Sequence, residues 1–268
     1  MIPSNNLTVA AAQFAAGTDK TANLDAVAKL TVRAADAGAD LVVFPEAAMV
    51  PFGEVLARAA EPLDGPFADR VREIAEASGV AVVLGMFEPS GDGRVHNTLL
   101  ATGRGAEAAY RKIHLFDAFG SRESDTVAPG SDLVTFRLGG VTVGLATCFD
   151  LRFADQFTAL GRAGAELVCV PASWGDGPGK AEQWDLLTRA RATDAQAWLV
   201  ACDQAWVPPR GADPLGLGRS CAIDALGRVR GRLGHEPGLL VQVVDVAEVR
   251  AVRERVPVLA GALPSARH

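Results

Sequence analysis

The sequence predicts an α/β fold in which β-strands are covered by helices. Short apolar runs of strand type alternate with helix-like segments from one end of the chain to the other. A length of 268 residues and a hydrophobic fraction of 49% suffice for a sizeable core. No Ser/Pro-rich linker, low-complexity tract or repeat interrupts the alternation, so we expect residues 1–268 to form a single domain.

Ten segments have the composition of β-strands. One open sheet seldom holds so many strands, which favours two packed sheets. In chain order, the predicted strands are residues 7–14, 41–46, 80–87, 97–102, 108–112, 141–148, 167–173, 198–204, 220–225 and 238–245.

Four helices are predicted between these strands from apolar residues at helical spacing. The first has Gly38 as its expected C-terminal cap. Two long irregular connections, 113–136 and 205–219, are expected to carry function, as such loops often do in compact domains. The predicted helices are residues 22–38, 65–79, 154–165 and 180–197, the last after the Gly-rich loop "GDGPG".

Composition excludes several classes of function. The formal net charge is -6, and the basic residues are dispersed among acids, which argues against binding nucleic acid. The start "MIPSNNLTVAAAQFAAG" lacks the features of a signal peptide, and no apolar run of about 18 residues suggests a membrane span. We therefore expect a cytoplasmic protein. The four Cys and four His show no CxxC or HExxH spacing, which speaks against a zinc site. No other cofactor is expected either.

Three reactive residue types each close a predicted strand: Glu46, Lys112 and Cys148. The carboxyl ends of strands line the ligand crevice in α/β folds, so these residues could converge. A thiol with a pKa near 8.5 needs a base or a positive charge beside it to act as a nucleophile. Glu46 could take the thiol proton, while Lys112 and the backbone N–H after Cys148 could stabilise an oxyanion.

The motifs around these residues resemble the nitrilase superfamily of carbon–nitrogen hydrolases. The resemblance rests on "FPE" (44–46), "YRKIHLFD" (110–117) and "TCFDLRF" (147–153), and it continues in order through "APG", "GAELVCVPASW", "LLTRARATDAQAWLVACDQ" and "DALGRV". It implies a four-layer αββα sandwich of two mixed β-sheets flanked by helices. It also implies a Glu46–Lys112–Cys148 triad that forms a thioester acyl-enzyme, which water then hydrolyses.

Further residues enter through the same resemblance. Glu123 matches a second glutamate that positions the lysine and the substrate amine, and Phe149 would give its N–H to the oxyanion hole. Ser173 and Trp174 close a predicted strand, and Trp174 is a candidate wall of the pocket, although a core role is nearly as common for such a Trp. The family implies at least a homodimer, with residues 252–268 a candidate for subunit contact.

The residues after Cys148 favour a particular branch. "CFDLRF" is close to the pattern of omega-amidases and deaminated-glutathione amidases, which indicates a small carboxylic-acid amide as substrate. Ala154, Gln183 and Arg219 depart from residues common in the branch. Gln183 and Arg219 flank predicted pocket loops, which leaves the identity of the substrate open. The alternatives are a nitrilase, an N-carbamoyl amino-acid hydrolase, or a catalytically silent interaction protein.

Other reactive residues receive structural interpretations. Asp150 and Arg152 are expected to form a structural or dimer-edge ion pair, and His114 is expected to stand behind Lys112, although a Cys–His dyad is possible in principle. The remaining cysteines lie inside strand-like runs and are expected to be buried; they are Cys169, Cys202 and Cys221.

Overall fold

Two six-stranded β-sheets form the centre of the molecule. The computed structural model describes residues 6–208 and 216–261. Within these ranges the strands are β1 (Leu7–Gln13), β2 (Leu41–Val43), β3 (Ala81–Pro89), β4 (Val95–Gly103), β5 (Ala106–Arg111), β6 (Val134–Leu138), β7 (Val141–Leu145), β8 (Leu167–Ala172), β9 (Trp198–Asp203), β10 (Cys221–Ile223), β11 (Val229–Arg232) and β12 (Gly238–Val244).

Seven α-helices occur in the same described ranges, and two short 3₁₀ turns add to them. The helices are α1 (Lys20–Asp36), α2 (Leu56–Ala59), α3 (Pro66–Ser78), α4 (Ala154–Arg162), α5 (Lys180–Ala195), α6 (Val246–Arg255) and α7 (Val258–Gly261). The 3₁₀ turns are Glu123–Asp125 and Cys148–Arg152.

Both sheets are mixed, and each has three parallel strands at its centre. The first sheet has the order β12-β1-β2-β3-β4-β5, with β1, β2 and β3 parallel. The second has the order β11-β10-β9-β8-β7-β6, with β7, β8 and β9 parallel. The outer strands are antiparallel to their neighbours. Parallel strands need crossover connections, and these place helices on the outer faces of the sheets.

The alternation of side chains along the strands divides the core into three parts. Val9 and Ala11 of β1 face the second sheet and pack in a cluster with Leu145 and Trp198. The intervening residues of β1 face outward into a cluster with α1 and α3. A third cluster joins the outer face of the second sheet to α4 and α5. The layers therefore run helix, sheet, sheet, helix, which confirms the predicted sandwich.

Local sequence signals explain where the flanking helices begin and end. The carboxylate of Asp19 accepts hydrogen bonds from the backbone N–H groups of Thr21 and Ala22, which caps α1. Pro66 occupies the first turn of α3, where its missing N–H costs no hydrogen bond. Gly79 ends α3 in the left-handed conformation at φ +66°.

The predicted elements differ from the observed ones mainly at their ends. All ten predicted strands occur, but β2 ends at Val43 and β7 ends at Leu145, each three residues before the predicted end. The edge strands β6 and β11 and the helices α2, α6 and α7 were not predicted. No helix in residues 6–208 or 216–261 is long and apolar enough to cross a membrane.

Parts of three expectations lie outside the described residues. They concern residues 1–5 of the N-terminal segment, 209–215 of the second long connection and 262–268 of the proposed subunit contact.

Gly85 of β3 packs against the backbone of the segment that follows β2. A Cβ atom on Gly85 would lie 2.6 Å from the backbone nitrogen of Ala47 and 2.7 Å from the Cα of Glu46. We expect Gly85→Ala to lower the free energy of unfolding by about 1–3 kcal/mol, because backbone atoms must move to admit the methyl group. Urea denaturation measures the change. Gly234→Ala is the control, since a Cβ there meets nothing within 4 Å; equal stability of the two variants would contradict the prediction.

Candidate active site

Cys148 stands at the start of a tight turn and lies three residues after the end of β7. Its backbone φ is +46°, a value that residues other than glycine rarely adopt. It begins the 3₁₀ turn Cys148–Arg152. Thr147 fixes the turn through two hydrogen bonds. Its N–H donates to Asp150 Oδ2 at 2.8 Å, and its hydroxyl donates to the carbonyl of Pro171 at 2.8 Å. Such strain persists only where surrounding bonds maintain it, and it is typical of reactive residues.

Glu46 is fully buried and lies three residues after β2. Its Oε1 accepts a hydrogen bond from the Lys112 ammonium at 2.9 Å. Its Oε2 accepts one from the backbone N–H of Ser173 at 2.8 Å. Ser173 follows β8 of the second sheet, so this carboxylate spans the gap between the two sheets.

Lys112 directly follows β5, and its ammonium lies between two carboxylates. It is 2.9 Å from Glu46 Oε1 and 2.9 Å from Glu123 Oε2. Glu123 also accepts a hydrogen bond from the backbone N–H of Phe116 at 2.6 Å. Glu46, Lys112 and Cys148 therefore lie close together, as predicted, and Glu123 lies with them. Each residue lies just beyond its strand rather than in it.

Burial and neighbouring charges together determine which groups of this cluster are protonated. Burial disfavours the Lys112 cation, but the carboxylates of Glu123 and Glu46 outweigh burial and raise the lysine pKa well above its ordinary value. Burial, followed by the charge of Glu46, raises the pKa of the Cys148 thiol well above its usual range, although Lys112 acts against this. At neutral pH the site therefore holds an ammonium and a protonated thiol.

Asn97, a buried residue of β4, also belongs to this cluster. Its side-chain N–H₂ donates to Glu46 Oε1 at 2.7 Å and to Glu123 Oε1 at 3.2 Å. Its side-chain oxygen, Oδ1, is buried and has no hydrogen-bond partner in the part of the chain that the structure describes. Asn97 is not among the site residues predicted from the sequence. The available signal was an amide inside the strand-like run "VHNTLLAT", since strand interiors seldom contain Asn.

Comparisons with known proteins show which family the chain belongs to. The family model described as carbon-nitrogen hydrolase matches residues 8–254. The chain belongs to this family. A protein of Mycobacterium tuberculosis named only as a hydrolase is 50% identical in an alignment of 262 residues that covers 94% of this chain and 94% of that one. The deaminated glutathione amidase of Escherichia coli O157:H7 is 34% identical over 94% of this chain and 95% of that one.

A solved structure extends the likeness to the fold. A CN-hydrolase superfamily protein of Xanthomonas campestris, with an arsenic adduct in its active site, superposes with a TM-score of 0.88 at 25% identity. The match covers 98% of this chain and 99% of that one. The resemblance to the nitrilase superfamily is therefore confirmed, and the protein is a carbon–nitrogen hydrolase.

One expectation for this hydrolase is wrong: Asp150 and Arg152 do not pair. Asp150 is fully buried, and its carboxylate accepts hydrogen bonds from the Tyr110 hydroxyl at 2.6 Å and from the backbone N–H of His114 at 3.1 Å. It also lies 2.9 Å from His114 Nδ1. Asp150 thus ties the turn of Cys148 to the segment around Lys112, and no partner subunit is needed to explain it.

His114 of the hydrolase differs from its expected place as well. Its described contacts are the bond to Asp150 and a stacked arrangement on Phe153, with ring centroids 3.6 Å apart. It therefore supports the cysteine turn rather than Lys112. The alternative of a Cys–His dyad finds no contact among the described residues, because the ring is engaged by Asp150 and Phe153.

Several aromatic residues lie in or near the turn that Cys148 begins. Phe149 packs edge-on against Phe116 and Phe153. Trp174 is buried; its backbone N–H donates to Asp203 at 2.7 Å, and its indole N–H donates to the carbonyl of Lys180 at 3.2 Å. Ser173 contributes its backbone N–H to Glu46, as described above. The functional roles of Phe149, Ser173 and Trp174 stay predictions.

The other three cysteines are buried, as expected: Cys169, Cys202 and Cys221. Burial raises the thiol pKa of each, to about 12 for Cys221. In the described part of the chain, no group of three or more His, Cys, Asp or Glu side chains could hold a metal ion.

Asn97→Asp tests the electrostatic role of the amide. The new carboxylate would face Glu46 and Glu123, so its pKa in the folded state should lie above its unfolded value. Its neutral form is tolerated below the unfolded pKa, and stability is lost as the pH rises through the folded pKa. We expect a fall in melting temperature of roughly 5–10 °C at about pH 8 and a clearly smaller one at about pH 5.

Asn6→Asp is the control for this measurement, because Asn6 is exposed and its substitution should leave the melting temperature unchanged at both pH values. Equal losses for Asn97→Asp at both pH values would show that the amide fills space without solvating the carboxylates.

Proposed function

We propose that this hydrolase cleaves a small carboxylic-acid amide to the acid and ammonia through a thioester on Cys148. The observation that carries the proposal is a cysteine, strained at φ +46°, beside a buried pair of Glu46 and Lys112. A base, a cation and a nucleophile in one buried place are the components of covalent acyl transfer. No cofactor is required for these steps.

Glu46 acts as the general base in the first step of the proposed mechanism. The raised pKa of Cys148 keeps the thiol protonated, so its proton must leave as sulfur attacks. Sulfur forms a bond to the amide carbon, the thiol proton passes to Glu46, and the carbonyl π electrons move to oxygen. Lys112 and the backbone N–H of Phe149 stabilise this oxyanion.

Glu46 acts as the general acid in the second step. As the tetrahedral intermediate collapses, the C–N bond breaks, and Glu46 returns the proton to the departing nitrogen, which leaves as ammonia. A water molecule then gives a proton to Glu46 and attacks the thioester carbon. The C–S bond breaks, the sulfur regains a proton from Glu46, and the carboxylic acid is released.

The remaining predicted residues position these groups in the proposal. Glu123 holds the Lys112 ammonium and orients the substrate amine, which fits its 2.9 Å ion pair with Lys112. The N–H of Ser173 aims the carboxylate of Glu46. Trp174 forms one wall of the pocket.

Substrate screening separates this proposal from its rivals. Ammonia released from amides supports it, while ammonia from nitriles alone indicates a nitrilase. Ammonia with carbon dioxide from carbamoyl amino acids indicates a carbamoyl hydrolase. Failure of a thiol-reactive probe to prefer Cys148 over the other cysteines would indicate a silent interaction protein.

We also propose a single domain, a cytoplasmic location and at least a homodimer. Val256 and Val258, within the segment 252–268, are about half exposed in the isolated chain, which supports a contact there. Light scattering of the purified protein tests the oligomeric state.

Cys148→Ala should abolish turnover and leave the fold intact, because it removes the nucleophile and only one buried sulfur. We expect the rate of ammonia release to fall by at least ~10⁴-fold while the circular dichroism spectrum and melting curve stay close to wild type. Cys221→Ala is the matched control and should retain the activity. Near-normal hydrolysis by Cys148→Ala would rule out the thioester.

Lys112→Met should slow alkylation of Cys148 at neutral pH, because the ammonium is the cation that favours the thiolate. A thiol pKa one unit higher means about tenfold less thiolate, so we expect iodoacetamide labelling to slow by about tenfold or more. Mass spectrometry follows the labelling. Lys29→Met, at an exposed position of α1, should label at the wild-type rate; an unchanged rate in Lys112→Met would contradict the assigned role.

A further inference from the structure

Asp203 is a carboxylate near the site that the proposed mechanism does not use. It ends β9, the neighbour of β8 in the second sheet, and it is fully buried. Within residues 6–208 and 216–261, no Lys, Arg or His side chain forms an ion pair with it. Burying a carboxylate without a cation is costly, so the groups that surround it need an explanation.

Backbone N–H groups take the place of a cation around Asp203. Its Oδ1 accepts a hydrogen bond from the N–H of Trp174 at 2.7 Å, and its Oδ2 accepts one from the N–H of Leu217 at 2.8 Å. Burial raises the pKa of Asp203 well above its ordinary value, the N–H groups act against this rise, and the charge of Glu46 adds to it. Both oxygens of Asp203 are thus engaged by backbone donors, within electrostatic reach of the general base.

Ser173 connects these bonds to the reacting groups. Its own N–H donates to Glu46 Oε2 at 2.8 Å, and the next N–H along the chain, that of Trp174, donates to Asp203. The two peptide groups that flank Ser173 are therefore each held by a carboxylate. The Ser173 N–H also acts on the sulfur of Cys148, where it favours the thiolate. Its direction thus matters for both the general base and the nucleophile.

Leu217 fixes Asp203 from the opposite side. Leu217 is fully buried, and its carbonyl oxygen lies 2.8 Å from His235 Nδ1. The N–H of the next residue, Gly218, donates to the carbonyl of Gln204 at 2.9 Å. Because this part of the connection 205–219 is itself held in place, it gives Asp203 a fixed support. Asp203 in turn passes that support on to Trp174.

We propose that Asp203 is a positioning residue for the reaction at Cys148. It fixes the peptide group between Ser173 and Trp174 and so keeps the Ser173 N–H directed at Glu46 and the sulfur. Hydrogen bonds of this kind hold catalytic groups in their productive geometry. The effect on turnover rests on the proposed amidase function, whereas the effect on the thiol can be measured without turnover.

Asp203→Asn tests the role with little change in side-chain size. An amide accepts hydrogen bonds at its oxygen only, so its N–H₂ would face the N–H of Trp174 or that of Leu217. We expect iodoacetamide to label Cys148 about three- to tenfold more slowly at neutral pH, because the thiolate loses a directed N–H. For butyramide, we expect kcat to fall by about tenfold or more and KM to change by less than about threefold.

Asp224→Asn is the matched control. Asp224 is also fully buried and accepts backbone N–H bonds, from Leu226 at 2.9 Å and from Arg228 at 3.1 Å, but it lies in the turn between β10 and β11. The control should melt at a lower temperature and keep the wild-type kcat and labelling rate. If Asp203→Asn does not fold, Asp203→Ser carries the same test with the same expected losses, since a hydroxyl can turn to accept one N–H bond.

A wild-type kcat and labelling rate in Asp203→Asn would overturn the inference. Equal losses in Asp203→Asn and Asp224→Asn would also overturn it, because lower stability alone would then explain both. A lower kcat with labelling at the wild-type rate would contradict it as well, since the Ser173 N–H would still be in place at the sulfur. Slower labelling in Asp203→Asn, combined with a wild type that hydrolyses no amide, would retain the positioning role and reject the amidase proposal.

Discussion

The buried ammonium of Lys112 is the interaction on which the rest of the site depends. Moving an ion from water into a protein interior costs several kcal/mol, and the cost is offset only when partners surround it. Glu46 and Glu123 supply two carboxylates for one ammonium, so the ionised cluster has an excess negative charge. Neutral N–H donors from Asn97, Ser173 and Phe116 solvate that excess in place of water.

A second constraint acts on the nucleophile through Asp150. A cysteine at a positive φ relaxes unless other bonds hold its turn, and Asp150 accepts bonds from both the turn and the segment around His114. Both carboxylate oxygens of Asp150 are engaged, so the turn of Cys148 cannot shift without breaking contacts to the other sheet. The fully buried Asp150 thus fixes the position of the strained Cys148 relative to the segment that carries Lys112.

Much of this arrangement could be predicted from residues at the ends of apolar runs. Glu46, Lys112 and Cys148 stand out because reactive groups follow buried strands, and Glu123 enters only through its family motif. Asn97 and Asp150 were missed or misread because their partners lie far away in sequence; Asn97 and Glu46 are 51 residues apart. The strand β11 could not be predicted from local sequence pattern either. Its sequence "VRGR" contains two arginines and a glycine, and yet it pairs as an edge strand.

The site draws its parts from both sheets. Glu46 and Lys112 follow strands of the first sheet, and Cys148 and Ser173 follow strands of the second. Glu123 lies in the connection from β5 to β6, which joins the two sheets. Neither sheet alone can assemble the constellation, and its contacts join residues up to 127 apart in the chain. Contacts of such long range form late when a protein folds, because the loops they close cost entropy first. Recovery of activity during refolding would therefore report the docking of the two sheets.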